Sequence, residues 1–147
     1  MATPSVIVSA FLDEGVPVED NKNLTQQLLV GQALGLQYWT PRFVFDETTG
    51  ANQNICALSD DQVKAIASQS QTAGFTIGCI GTAIGKVKLE DSDDGNKAPC
   101  KTHTEHMEDL KRAIEVAQIC GAKFLRAFSF YPPLGANAND YYAEGLD

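Results

Sequence analysis

The chain has 147 residues, 44% of them hydrophobic and 20% charged, proportions that suit one soluble globular domain. Its net charge of −8 and pI near 4.6 argue against nucleic acid as a partner, since that binding neutralises phosphates with Lys and Arg. No apolar run is long enough to span a bilayer, and Met1-Ala-Thr-Pro lacks the basic and apolar regions of a signal peptide, so no membrane partner is expected.

Taken in order, residues 5–11 (SVIVSAF) are β-branched and apolar, and predict a strand buried on both faces. After a polar loop, Asn23 reads as the N-cap of a helix, with Gln26 reaching back. Leu24, Leu28 and Leu34 share one face of that helix at roughly helical spacing and Gly35 stops it. Residues 36–40 (LQYWT) form a second strand ended by Pro41, and residues 43–57 read as an irregular loop with a Thr-Thr-Gly turn. Ser59-Asp-Asp-Gln62 is a capping box opening a second helix; Val63, Ile66, Ala67 and Ala73 face inward and Gly74 ends it.

Residues 76–86 (TIGCIGTAIGK) predict a third, buried strand that delivers Lys86 at its C-terminal tip. Its glycines at 78, 81 and 85 leave room for another backbone or a ligand. A phosphate-binding P-loop is excluded: three residues rather than four separate Gly81 from Gly85, and Val87 follows the lysine. The acidic stretch 90–96 (EDSDDGN) fails the spacing of a calcium loop and reads as solvated surface. Thr102-His-Thr-Glu105 opens a third helix with Met107, Leu110, Ile114 and Ala117 as its apolar stripe, a Glu108–Arg112 pair, and Gly121 as its end. Residues 124–131 (FLRAFSFY) make a fourth strand, and residues 140–147 open another helix.

The four cysteines, at 56, 79, 100 and 120, contain no C-x-x-C pair, so zinc and redox motifs are not expected. Reduced thiols in a cytoplasmic protein are the expectation, with Cys79 and Cys120 as small core residues. Strand and helix thus alternate three times before a final strand, a pattern of parallel strands with right-handed crossovers. It predicts an α/β fold: the first half of a TIM (β/α)8 barrel truncated after the fourth strand, since the complete barrel needs about 250 residues. The fourth-strand edge is expected to promote self-association.

Three segments resemble the sugar phosphate isomerase/epimerase family, with the xylose-isomerase-like TIM barrel. Residues 35–42 (GLQYWTPR) resemble its second strand, GLxYxELR; residues 80–86 (IGTAIGK) its third, I-x-S-P-I-G-K; and residues 126–131 (RAFSFY) its fourth, R-V-F-S-F-Y. The resemblance implies a small sugar or polyol substrate and proton transfer next to a carbonyl, as in aldose–ketose isomerisation or epimerisation. Inosose dehydration is the alternative activity, and a non-catalytic half-barrel that assembles with a partner is the alternative class. It also implies a divalent metal ion (Mn, Mg, Zn or Co) held by Glu, Asp, His and Glu of later strands, ligands this chain does not contain. Thr40 stands where the family often has Glu, and Thr82-Ala83 replace Ser-Pro.

By this resemblance Arg42 and Lys86 reach substrate oxygens or phosphate, and Ser129 lines the pocket floor. Arg126 either joins them or lies mid-strand bracing an acidic partner; Trp39 and Tyr131 either wall a sugar pocket or pack in the core. No residue is assigned the catalytic proton transfer. His103 and His106, at the start of the third helix, lie opposite the face where barrel sites form and are expected to be exposed.

Overall fold

Local capping chemistry decides where the helices begin. In the computed structural model, residues 6–17, 21–88, 98–132, 134–135 and 137 are described. Asn23 accepts from the Gln26 amide and starts α1 (Leu24–Ala33). Ser59 and Gln62 close both halves of the capping box that starts α2 (Asp60–Thr72). Thr102 and Glu105 exchange the same pair of bonds at the head of α3 (His103–Cys120). A glycine in the left-handed region follows each helix: Gly35, Gly74 and Gly121.

The strands are short: β1 (Ser9–Ala10), β2 (Tyr38–Trp39), β3 (Phe43–Asp46), β4 (Ala51–Asn54), β5 (Thr76–Ile77), β6 (Cys79–Ile80) and β7 (Phe124–Leu125). They make a mixed α/β arrangement with parallel sheet pieces. β1, β2 and β5 form a parallel sheet in that order, with Ser9 opposite Tyr38 and Tyr38 opposite Thr76. β6 pairs in parallel with β7, Cys79 opposite Phe124. Only Gly78 separates β5 from β6; its N–H donates to the Trp39 carbonyl (3.4 Å) and its carbonyl accepts from Lys123 N (3.2 Å).

The chain divides into two compact units, Met1–Thr82 with Lys111–Arg126, and Ala83–Leu110 with Ala127–Asp147. The first holds the hydrophobic cluster, in which Trp39, Ile55, Val63, Ile80 and Val116 are fully buried. Among the described residues no helix is long and apolar enough to cross a membrane.

Several sequence expectations are corrected. Val6, Ile7 and Val8 are 86%, 62% and 62% exposed, so the first strand is not buried on both faces; it pairs on one side, with β2. Leu34 is exposed, and Gln27 and Gly31 occupy the inner face of α1 with Leu28. Residues 43–57 are not an irregular loop: β3 and β4 form an antiparallel hairpin, Phe43 opposite Asn54, followed by a 3-10 turn at Ile55–Ala57. The expected third strand ends at Ile80, where Gly81 N turns aside to the Pro41 carbonyl (2.8 Å), so Lys86 lies in a turn rather than at a strand tip.

The inner face of α3 is Ala113, Val116 and Ala117, while Met107 and Ile114 are exposed. Small residues let that helix approach the core more closely than the larger stripe would. Arg112 pairs with Asp60 (2.7 Å) and Glu115 (3.2 Å) rather than with Glu108. The fourth strand stops at Leu125, and Tyr131 forms an isolated parallel bridge with Lys88. The acidic stretch 90–96 and the closing segment 140–147 lie outside the described residues.

Candidate functional site

Parallel strands bring their C-terminal ends to one side, and in the first unit the residues just past those ends meet. Phe11 follows β1, Arg42 lies three residues beyond β2, Thr82 two beyond β6, and Arg126 directly follows β7. The Arg42 guanidinium lies 5.0 Å from the centroid of the Phe11 ring and that of Arg126 lies 4.9 Å from it. Arg126 donates to the Thr82 carbonyl from Nη2 (2.6 Å) and Nε (3.2 Å), and the Thr82 hydroxyl donates to the Arg126 carbonyl (2.5 Å). At Gly81 a side chain would put its Cβ 2.8 Å from the Arg42 Cβ and 3.0 Å from the Pro41 carbonyl, so this glycine permits the close approach of the two strand ends.

Arg42 is itself anchored. Its Nη2 lies 2.7 Å from Asp13 Oδ2 and 2.8 Å from Glu14 Oε1, both in the 3-10 turn after β1. Burial pulls the Arg42 guanidinium toward its neutral form, but the two carboxylates more than offset this and its pKa is raised. Arg126 moves the other way: burial, then the positive charge of Arg42, lower its pKa. Cys79 is raised by burial, partly opposed by Arg126. Asp13 is 1% exposed, and its Oδ1 has no partner among the described residues.

In the second unit the turn carrying Lys86 is closed by Lys86 N to the Ala83 carbonyl (3.0 Å), and Phe128 N reaches the Ile84 carbonyl (2.8 Å). The exposed Lys86 ammonium lies 5.7 Å from the centroid of the Phe128 ring. Ser129 is exposed and Tyr131 half-buried, its amide bonded to the Val87 carbonyl. His106 contradicts the expectation of exposure: it is half-buried, accepts from Gly85 N at Nε2 (3.3 Å) and packs 5.4 Å from the Phe130 ring centroid. His103 is exposed as expected.

Of the six expected site residues, Arg42 and Arg126 come together on Phe11, and Trp39 is in the hydrophobic cluster with no exposed surface. Lys86, Ser129 and Tyr131 belong to the second unit. Among the described residues Arg126 braces the Thr82 carbonyl. Sequence reasoning missed Phe11, Asp13 and His106. Asp13 carried a usable signal, an acid just past a strand facing an arginine just past the next. A cleft of about 410 Å³ between α1, α2 and the hairpin is lined by none of the six; the Asp46 carboxylate there is held below its usual range, first by the Thr48 amide.

Among the described residues no three His, Cys, Asp or Glu side chains gather where they could hold a metal ion. No protein-family model matches this sequence, and no curated protein matches it.

Proposed function

We propose that the chain contributes the first four strands of a xylose-isomerase-like (β/α)8 barrel of the sugar phosphate isomerase/epimerase kind, whose activity is proton transfer next to a carbonyl of a small sugar. Within the first unit, Arg126 and the carboxylate-anchored Arg42 hold substrate oxygens. Within the second, Lys86 does the same from its turn. The carboxylates that would move the proton and the ligands of the metal ion that would hold the substrate oxygens belong, by the resemblance, to later strands.

The observation that carries this reading is the meeting of Phe11, Arg42, Thr82 and Arg126 just beyond the C-terminal ends of parallel strands. That is the position where barrel enzymes gather groups that bind substrate. Two guanidinium groups on one aromatic ring supply several N–H donors, chemistry suited to hydroxyl, carbonyl and phosphate oxygens.

The test is titration of the chain with D-ribulose 5-phosphate, followed by two-dimensional NMR. Arg42 and Arg126 Nε–H resonances are expected to move, and Arg126→Met to weaken binding about tenfold, the value of one charge-assisted hydrogen bond. Equal affinity of Arg126→Met and the parent chain overturns the reading, as does a titration that leaves both arginines unmoved.

A further inference from the structure

The Lys86 turn has a built support in the second unit that the reading above does not use. Thr102 and Glu105 fix the head of α3: the Glu105 carboxylate accepts from the Thr102 amide (2.8 Å) and hydroxyl (2.7 Å), and this sets His106 at the end of the first turn. From there His106 Nε2 accepts the Gly85 N–H. Gly85 has φ +75, and a Cβ on it would collide with the Phe128 carbonyl oxygen, so the turn is wedged against the segment after β7. In that segment Phe130 is itself at φ +66, a costly conformation for a bulky residue, and its ring packs against the imidazole at an interplanar angle of 54°.

An imidazole nitrogen that accepts a hydrogen bond carries no proton, so the form of His106 that makes this contact has its proton on Nδ1. Nδ1 is buried and has no partner among the described residues. Protonation would turn Nε2 into a donor facing the Gly85 N–H, and the turn would lose its anchor. On the turn itself the charged group is Lys86, which opposes a second positive charge nearby. On the segment after β7 the packed residue is the uncharged Phe130, with Tyr131 next in the chain. On the first two turns of α3 the other titratable groups are His103, Glu105, Glu108 and Asp109. Glu105 is engaged by Thr102, and Asp109 by Lys101.

We infer that His106 is a positioning residue for Lys86, fixing the Gly85–Lys86 turn through Nε2 only while the imidazole is neutral. This rests on the proposed role of Lys86 in holding substrate oxygens. Protonation of the imidazole then releases the lysine without touching it.

The test uses the whole chain and D-ribulose, a neutral ketopentose whose own charge does not change with pH. At about pH 8 the imidazole ¹⁵N shifts are expected to report the proton on Nδ1, and the Gly85 amide resonance to move together with those shifts as pH is lowered to about 5.5. Ribulose binding is expected to weaken about fivefold over that range, the value of one lost hydrogen bond. His106→Gln keeps an acceptor that does not titrate, and its binding is expected to stay level with pH. A proton on Nε2 at pH 8, an unmoved Gly85 amide, or a His106→Gln variant with the parent's pH profile overturns the inference. If Lys86→Met leaves affinity unchanged while the Gly85 amide still titrates, the substrate role of Lys86 falls and the His106 anchor of the turn stands.

Discussion

Asp13 and Arg42 form an ion pair at 2.7 Å in which the carboxylate is almost wholly buried and the guanidinium is 19% exposed. Removing the buried partner leaves Arg42, among carboxylates of the described residues, only Glu14, which is 62% exposed and so worth little. Asp13→Ala is expected to cost about 2 kcal/mol in urea denaturation, below the full penalty for stranding a buried charge because water reaches the arginine. The double variant with Arg42→Met is expected to be less destabilised than the sum of the two single variants. Strict additivity would show that the pair does not act as one.

Gly81 and Gly78 lie three residues apart and make opposite predictions. An added Cβ at Gly81 meets the backbone and side chain of the Pro41-Arg42 segment, whereas at Gly78 its nearest neighbour is Tyr38 Cδ1 at 3.6 Å. Gly81→Ala is expected to destabilise by about 2 kcal/mol as an overpacked contact. Gly78→Ala should stay within about 0.5 kcal/mol of the parent. The comparison is read from denaturation midpoints, and equal midpoints would contradict it.

Asp46 gives a pH dependence of definite sign. Its folded-state pKa is depressed, first by the Thr48 amide and further by the Thr49 hydroxyl, the Thr48 side chain and Gln62, with burial opposing them. Its contribution is therefore present above the unfolded carboxylate value, ~3.9, and is lost as pH falls through the lower folded value. Asp46→Asn is expected to be less stable than the parent at pH 7, with the gap closing below about pH 4. A gap that stays constant down to pH 3 would count against it.

The thiols should separate by reactivity. Cys120 is pushed up to about 11 by burial and then by Cys56, whereas Cys100 is exposed. At pH 8 only about a thousandth of Cys120 is thiolate, the reactive form. Iodoacetamide is expected to label Cys100 first and Cys120 last under native conditions, followed by peptide mass spectrometry. Early labelling of Cys120 would overturn this order.

What the sequence revealed follows from the range of the interactions involved. The caps at Asn23, Ser59 and Thr102 and the stops at Gly35, Gly74 and Gly121 are bonds within a few residues, and each was legible. The hairpin was not, because Ala51-Asn-Gln-Asn54 has little strand preference of its own and is held in place by pairing with Phe43–Asp46. Arg112 finds Asp60 across 52 positions in the chain, and His106 finds Gly85 across 21, relationships that periodicity does not encode. Arg42 and Arg126 were picked out, but the ring they share was not: Phe11 reads as one more apolar residue at the end of a strand.

Gly78 joins two short parallel ladders that would each be marginal alone. Because β5 and β6 flank it on a single run of chain, a slip of one residue against Tyr38-Trp39 would carry over to Phe124-Leu125 and turn apolar side chains outward on both sides. The pairing error that a two-residue strand invites is thus checked twice, and the two ladders have reason to form or melt as a single step.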